Sequence, residues 1–100
     1  MKNIILVCNA GMSTSILVKK MKEVAKEAGK EVTIQALPKH LLDQYTGPVD
    51  CILIGPQIGY LEQGIKEQWP NVPIEVINSV DYGMVEGKKV LKRAFKLMSQ

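Results

Sequence analysis

Short, mostly apolar runs recur along the chain and predict buried strands. The runs 2–7 and 49–54 contain few polar residues, as strands covered on both faces of a parallel sheet do, and the run 74–77 predicts a further strand. The stretch 31–37 instead alternates polar and apolar residues, which predicts a strand with one wetter face. The pattern therefore predicts four strands, with the second at an edge of the sheet.

Helical periodicity separates these strands. After the first strand, apolar residues fall on one face of a predicted helix: Leu17, Met21, Val24, Ala25 and Ala28. Ser13 and Thr14 suit its N-cap, and Gly29 suits the position after its end, where a positive φ is needed. This is the most strongly patterned helix of the sequence.

Three further helices are predicted. A short one follows Pro38 and reaches Tyr45, an amphipathic one spans 57–69, and the last spans 84–98 after a loop at 78–83. Strands and helices thus alternate strictly along the chain.

Strict alternation predicts an α/β fold in one domain, residues 1–100, with three layers and helices on both faces of a four-stranded parallel sheet. Right-handed crossovers favour the strand order 2-1-3-4, which is flavodoxin-like and also resembles low-molecular-weight phosphatases. Ligands bind such sheets beyond the carboxyl ends of the strands, beside the first one. Cys8 and the segments 55–57 and 79–83 are predicted to meet there.

Composition and charge narrow the function. The net charge of +3 is mild, and the basic cluster 88–96 is read as a solvated helix face, so a nucleic-acid partner is not expected. No apolar stretch approaches the ~20 residues that span a bilayer, so no direct membrane insertion is expected. A strand beginning at Lys2 leaves no room for a signal peptide, which predicts a cytoplasmic protein.

Cysteine and histidine usage gives no sign of a metal centre. Cys8 and Cys51 are far apart with no C-x-x-C pair, and His40 has no ligand partner at usable spacing. We therefore expect neither a metal nor a cofactor. Cys51, in the middle of a predicted strand, is interpreted as a small core residue.

The segment after Cys8 changes the interpretation of that cysteine. Small residues follow it, Gly11 can adopt a φ that other residues resist, and hydroxyl-rich residues then open the first helix. Backbone N–H groups and the positive end of the helix dipole are therefore expected to stabilise a thiolate or a phosphoryl group on sulfur. A nucleophile inside an anion cradle is what a covalent phospho-enzyme intermediate requires.

The chain resembles enzyme IIB of the sugar phosphotransferase system, in the lactose/cellobiose (chitobiose) family. The resemblance covers nearly the whole length and rests on 6–15, where a cysteine is combined with A-G-M-S-T-S, on 55–58 and on 82–83. It implies that Cys8 accepts a phosphoryl group from a phosphohistidine of the IIA component and passes it to a disaccharide bound by the membrane component IIC. A free-standing chain of this length resembles the cellobiose/chitobiose subgroup.

The same resemblance implies that a loop after the cysteine holds the phosphate through its backbone. Its residues are Asn9, Ala10, Gly11, Met12, Ser13, Thr14 and Ser15. Neighbouring loops could also approach the phosphate through Pro56, Gln57, Asp81 and Tyr82. Met12, Ile58 and Tyr82 are predicted to form a shallow contact patch for the partner proteins.

Two other interpretations remain open. Low-molecular-weight tyrosine phosphatases place a similar loop after their first strand, but their C-x5-R-S signature needs an arginine where this chain has Thr14. Asp81 would be the general acid in that case, although a turn residue or helix N-cap is its commoner role. A phosphohistidine donor is already reactive, so the missing arginine favours relay over hydrolysis. The third possibility is a non-enzymatic α/β binding module in which Cys8 is merely buried.

Overall fold

Four parallel strands form a single sheet in the computed structural model, which describes residues 1–9 and 12–99. They are β1 (Lys2–Cys8), β2 (Val32–Pro38), β3 (Cys51–Ile54) and β4 (Ile74–Val76). Their order is β2-β1-β3-β4, so the predicted order 2-1-3-4 and the α/β fold are confirmed.

Helices follow every strand. They are α1 (Met12–Glu27), α2 (Lys39–Leu42), a 3₁₀ segment (Pro56–Leu61), α3 (Glu62–Gln68), α4 (Ser79–Gly83) and α5 (Gly87–Met98). No helix in the described part of the chain is long and apolar enough to cross a membrane.

β1 lies in the centre and separates two cores. Ile4 and Leu6 pack on one face of the sheet with α1 and α5, whereas Ile5 and Val7 pack on the other with α2, the 3₁₀ segment and α3. All four side chains are almost completely buried, which explains why the run shows no alternation in sequence. β2 is an edge strand, as its alternating pattern predicted.

The end of α1 is the one the sequence predicted. Gly29 has a φ of +69°, and its N–H donates to the Lys26 carbonyl while the Lys30 N–H donates to the Ala25 carbonyl. These two bonds form a Schellman motif, whose left-handed residue is easiest for glycine.

The beginning of α1 differs from the prediction. The helix starts at Met12, so Ser13 and Thr14 lie within its first turn rather than at the N-cap. Thr14 is buried, and its hydroxyl group is hydrogen-bonded to the hydroxyl of Tyr82. A tertiary contact 68 residues away therefore takes the side chain that local sequence assigned to capping.

The segment predicted as one helix over 57–69 is two shorter pieces. Ile58 has non-helical angles (φ −122°, ψ 29°) within the 3₁₀ segment, and α3 begins only at Glu62. The side chain of Ile58 is buried against the core formed by Ile5 and Val7. Burying this side chain takes precedence over continuing a segment that glycines at 59 and 64 already weaken.

The predicted loop 78–83 contains the short helix α4. The Asn78 side chain caps it by accepting hydrogen bonds from the N–H groups of Val80 (2.9 Å) and Asp81 (3.1 Å). Val85 then adopts a φ of +53°, which ends the helical path before α5. The last helix consequently begins at Gly87 rather than at Met84.

Two other elements, β3 and α2, are shorter than predicted. β3 begins at Cys51, and just before it the Asp50 carboxylate accepts a hydrogen bond from the Asn3 N–H at 2.7 Å while the Asp50 N–H donates to the Asn3 carbonyl at 2.8 Å. α2 follows Pro38 as predicted but ends at Leu42 and does not reach Tyr45; Pro38 is both the last residue of β2 and the N-cap of α2.

Candidate functional site

Cys8 is the last residue of the central strand, where the chain leaves the sheet toward α1. Across β1 and β2 it pairs with Pro38, which is also the last residue of its strand. Its side chain is 8% exposed, so the thiol lies at the border between the core and the surface. Cys8 therefore stands at the carboxyl edge, the edge at which ligands bind in sheets of this type.

Cys51 lies at the other end of the neighbouring strand. It is the first residue of β3, opposite Ile4, and is completely buried. Burial raises the pKa of the Cys51 thiol to about 12, with Glu75 and Asp50 adding smaller repulsive effects. The interpretation of Cys51 as a core residue fits this position.

A shallow pocket of about 380 Å³ opens beside Cys8. The segments that follow three different strands line it: Cys8, Asn9, Pro38, Lys39, His40, Asp43, Ile58, Tyr60 and Leu61. The carboxyl edge thus brings together residues that are about fifty positions apart in sequence.

A second set of contacts, made by buried residues, connects the segments at the same edge of the sheet. Thr14 and Tyr82 are buried, and their hydroxyl oxygens lie 2.5 Å apart. The Gly55 N–H donates to the Val7 carbonyl at 3.0 Å, and a side chain at Gly55 would come within 3.9 Å of the Tyr82 ring. The segments after β1, β3 and β4 therefore meet around Gly55.

The structure describes only part of the predicted phosphate loop. Asn9 is exposed and lines the pocket with Cys8, whereas Ala10 and Gly11 lie outside the described residues. Met12 and Ser13 form the start of α1, followed by buried Thr14 and exposed Ser15. The helix N-terminus that the loop hypothesis needs is thus four residues after the cysteine.

The predicted neighbours of the loop divide into two groups. Gln57 directs its side-chain oxygen to within 3.4 Å of where a Gly55 Cβ would lie, next to Pro56, which starts the 3₁₀ segment. Asp81 instead lines a separate cavity of about 370 Å³. There it joins Glu75 and Arg93, whose side chains form a two-pronged ion pair at 2.6 and 2.8 Å.

The predicted contact patch is wrong for two of its three members. Ile58 and Tyr82 are only 5% and 8% exposed, because both side chains serve the cores beneath the site. The Met12 side chain is outside what the structure describes. The exposed apolar side chain at the Cys8 pocket is Tyr60, at 80%.

Sequence reasoning missed the contribution of α2. Lys39 and His40 line the pocket, and the Lys39 ammonium lies 2.6 Å from the Asp43 carboxylate. The hydrogen bond from Lys39, with a second from Gln68, holds the pKa of Asp43 below its usual range. The signal was available, because the end of the second strand must lie at the same edge as Cys8 in a parallel sheet.

These pocket residues do not make a metal centre. Within residues 1–9 and 12–99, no three His, Cys, Asp or Glu side chains are close enough to hold a metal ion. The pocket instead combines the Cys8 thiol with His40 and the Lys39–Asp43 ion pair. Helix α1 begins four residues after the cysteine, and helix N-termini favour bound anions.

Comparison with known proteins identifies the family. The family model for the lactose/cellobiose-specific IIB subunit of the phosphotransferase system matches residues 3–93. The chain belongs to this family. IIB components are phosphotransferases that work with IIA and IIC components in sugar-specific phosphoryl transfer, and this chain is such a component.

Relatives of the IIB chain are similar over nearly their full lengths. The oligo-beta-mannoside-specific EIIB component of Bacillus subtilis (strain 168) is 41% identical over 100 residues, covering 98% of this chain and 97% of its own. The galactose-specific EIIB component of Lactococcus lactis subsp. cremoris is 42% identical over 105 residues, with the same coverage. Relatives named for different sugars are thus equally similar, so identity does not select a sugar.

Solved structures agree on the IIB fold. The cellobiose-specific IIB component of Borrelia burgdorferi superposes with a TM-score of 0.81 at 37% identity, covering 98% of this chain and 92% of its own. The lactose-specific IIB domain of Streptococcus pneumoniae gives 0.78 at 16% identity over 95% of each chain, which is a likeness of fold alone.

Proposed function

We propose that Cys8 is the residue of this IIB component that carries the phosphoryl group. Its thiolate attacks the phosphorus of a phosphohistidine on IIA, so that an S–P bond forms while the P–N bond breaks and the imidazole leaves. A hydroxyl oxygen of the sugar bound by IIC then attacks the same phosphorus, loses its proton and releases the thiolate. The chain returns to its starting state after each transfer.

The observation that carries this proposal is the difference in position between the two cysteines. Cys8 ends the central strand beside an open pocket, whereas Cys51 is sealed in the core with a pKa raised to about 12. A phosphoryl donor on another protein needs a thiol that borders the surface. Cys8 is 8% exposed and lines an open pocket, whereas Cys51 is 0% exposed, so of the two thiols only Cys8 borders the surface.

The proposed phosphate holder is the backbone of residues 9–15, as the family resemblance implies. α1 supports it because the first N–H groups of a helix lack partners within the helix and carry its positive dipole end. Lys39 lines the same pocket, but its ammonium is paired with the Asp43 carboxylate at 2.6 Å, so the pair adds no net charge there. The start of α1 is therefore the feature that favours the doubly charged phosphoryl group over the singly charged thiolate.

Thr14 supports relay rather than hydrolysis. It stands where a low-molecular-weight phosphatase has its phosphate-clamping arginine, and its hydroxyl is hydrogen-bonded to Tyr82. A side chain held in this way leaves an attack on an unreactive phosphate monoester without bidentate charge stabilisation. A phosphohistidine donor needs less help.

The partners follow from this assignment. In this proposal residues 1–100 act as one cytoplasmic domain that meets IIA as donor and the membrane permease IIC, with its bound disaccharide, as acceptor. The sugar is of the cellobiose, chitobiose or lactose type. We expect IIB to contact only the phosphoryl group, which agrees with the equal similarity of relatives named for different sugars.

The test is phosphorylation by a phosphorylated IIA protein, followed by intact-mass spectrometry. The wild type and the matched control Cys51→Ser should each gain one phosphoryl group, and Cys8→Ser should gain none. Phosphate on Cys8→Ser, or none on the wild type with several IIA donors, would overturn the assignment. Turnover of an aryl phosphate would instead favour the phosphatase.

A further inference from the structure

Charge is distributed very unevenly between the layers of the molecule. α1 and α5, which cover the same face of the sheet, together carry nine basic and two acidic side chains. The remainder of the chain carries four basic and eight acidic side chains. The mild net charge of +3 therefore conceals one strongly basic face.

Much of this positive charge is free to meet a partner. All the charged residues of α5 are basic and exposed, and of these only Lys89 and Arg93 form ion pairs among the described residues. Lys88, Lys92 and Lys96 remain without an acidic partner in the described part of the chain. These three ammonium groups therefore give the exposed side of α5 a positive electrostatic potential.

An apolar groove of about 360 Å³ runs between the two helices. Val24 and Ala28 of α1 and Leu91 and Phe95 of α5 form its walls. Lysine side chains surround it: Lys30, Lys88 and Lys92. The Lys30 ammonium lies 5.4 Å from the centre of the Phe95 ring, a cation–π distance.

Close helix packing makes the lysines of both helices one surface. Gly87 lies so near α1 that a Cβ there would come within 2.8 Å of the Lys20 Cβ and 3.0 Å of the Met21 nitrogen. The two helices are held together at this point. The surface formed by the two helices around the groove, with Lys30, Lys88 and Lys92 at its border, is here called the α1/α5 face.

We propose that the α1/α5 face binds an anionic lipid bilayer surface. Its lysines would lie among the lipid phosphates, and the groove would receive apolar groups at the boundary between headgroups and acyl chains. The chemistry selects this partner, because an apolar groove surrounded by ammonium groups complements a surface that is both anionic and amphiphilic.

A flat surface fits this charge pattern better than a nucleic acid does. Acidic side chains also flank α5, where Glu75 pairs with Arg93 and Glu86 with Lys89. A polyanion that wraps around the protein would meet these carboxylates, whereas a membrane would touch only the lysines around the groove. The face also offers one aromatic side chain at the groove, Phe95, and no interleaved series for base stacking.

Binding in this orientation leaves the site accessible. The Cys8 pocket is lined by α2 and the 3₁₀ segment, which lie on the opposite face of the sheet from α1 and α5. IIB could therefore stay on the bilayer while its thiol meets a donor or an acceptor. The inference adds membrane association to the proposed relay, and it does not depend on Cys8 being phosphorylated.

The experiment is co-sedimentation of the full chain with vesicles of phosphatidylglycerol and phosphatidylcholine, compared with phosphatidylcholine alone. We expect binding to the anionic vesicles only, weakening as salt rises. Lys92→Glu should reduce the binding constant by about tenfold. Its matched control is Lys66→Glu, which makes the same charge change on an exposed residue of α3 and should stay within about twofold of the wild type.

Several outcomes would overturn the proposal. These are absence of binding to anionic vesicles at low salt, or an equal loss in Lys92→Glu and Lys66→Glu with both variants folded by circular dichroism. The third such outcome is that Lys92→Glu binds vesicles as the wild type does but receives the phosphoryl group from IIA more slowly in the absence of membranes. That result would mean that the α1/α5 face binds an acidic protein instead. Cys8→Ser should bind vesicles normally, so failure of the relay and failure of this proposal are distinguishable.

Discussion

The two cysteines of this chain lie on adjacent strands and differ only in where along the strand they stand. Cys51 begins β3 opposite Ile4, and Cys8 ends β1 four residues after Ile4, where it pairs with Pro38 of β2. One thiol is completely buried and the other lines a pocket with a lysine and a histidine. In a parallel sheet every strand ends at the same edge, so a position at the end of a central strand is the one that other segments can surround.

The position of each cysteine along its strand thus determines how accessible its thiol is and how readily the thiol ionises. Burial disfavours the ionised form of the Cys51 thiol, as do the nearby carboxylates of Glu75 and Asp50, and its pKa rises to about 12. The Cys8 end is open because the chain leaves the sheet there and turns into a helix. The first two of the following experiments measure this difference, and the third tests a buried contact between the segments after β1 and β4.

Thiol alkylation should show the largest contrast. In the native protein we expect iodoacetamide to modify Cys8 at least about a hundredfold faster than Cys51, because Cys51 reacts only when the core opens. Peptide mapping of the single-thiol variants Cys8→Ser and Cys51→Ser gives the two rates. In urea the rates should converge, and similar rates in the native state would show that Cys51 is not sealed.

The burial of the Cys51 thiol should make the free energy of unfolding depend on pH in the alkaline range. The ordinary thiol pKa of 9.0 applies to the unfolded chain, and the pKa of about 12 to the folded chain. Above pH 9 the unfolded state therefore loses its proton first and is favoured, so stability falls as pH rises from 9 toward 12. The part due to Cys51 should reach about 3 kcal/mol at pH 11.

The control for this experiment is Cys51→Ala, because lysines and tyrosines titrate in the same range. Urea unfolding of both proteins at pH 7 to 11 gives the difference in the free energy of unfolding. That difference should shrink as pH rises, because only the wild type pays for keeping a buried thiol protonated. A difference independent of pH would contradict the assignment.

The Thr14–Tyr82 hydrogen bond should give the smallest effect. Thr14→Val and Tyr82→Phe each leave a buried hydroxyl without this partner, at a cost of about 1–3 kcal/mol. The double variant should cost less than the sum, with a coupling energy of about 1 kcal/mol in urea unfolding. Additive losses would mean that the two hydroxyls act independently of one another.

Local sequence was sufficient to predict an element whose conformation is set by its own residues. The uninterrupted run of β1, the alternation of β2 and the glycine after α1 each predicted a feature that the fold contains. Prediction from local sequence failed where a contact with a residue distant in sequence determined the conformation. Ile58 broke a predicted helix because its side chain is buried against the core, and Thr14 bonded Tyr82 instead of capping α1.

The candidate site shows the same division. Cys8 and the start of α1 could be found from residues that follow one another in sequence. Lys39, His40 and Tyr60 joined them only because parallel strands bring the segments after β2 and β3 to one edge. Ile58 and Tyr82 were assigned to the surface, and both were buried, because spacing alone does not tell which side of a loop faces the core.

By itself, the sequence determined four strands, their order, the central place of Cys8 and the family resemblance, since hydrophobic periodicity and a contiguous motif are local properties. Tertiary structure decided which charges surround the thiol, that Tyr82 is buried against Thr14, and that Lys30 lies at the same groove as Lys88 and Lys92. These are relations between segments far apart in the chain. Only the packing of helices on the sheet fixes them, because burial of apolar surface selects one arrangement among those that local propensity permits.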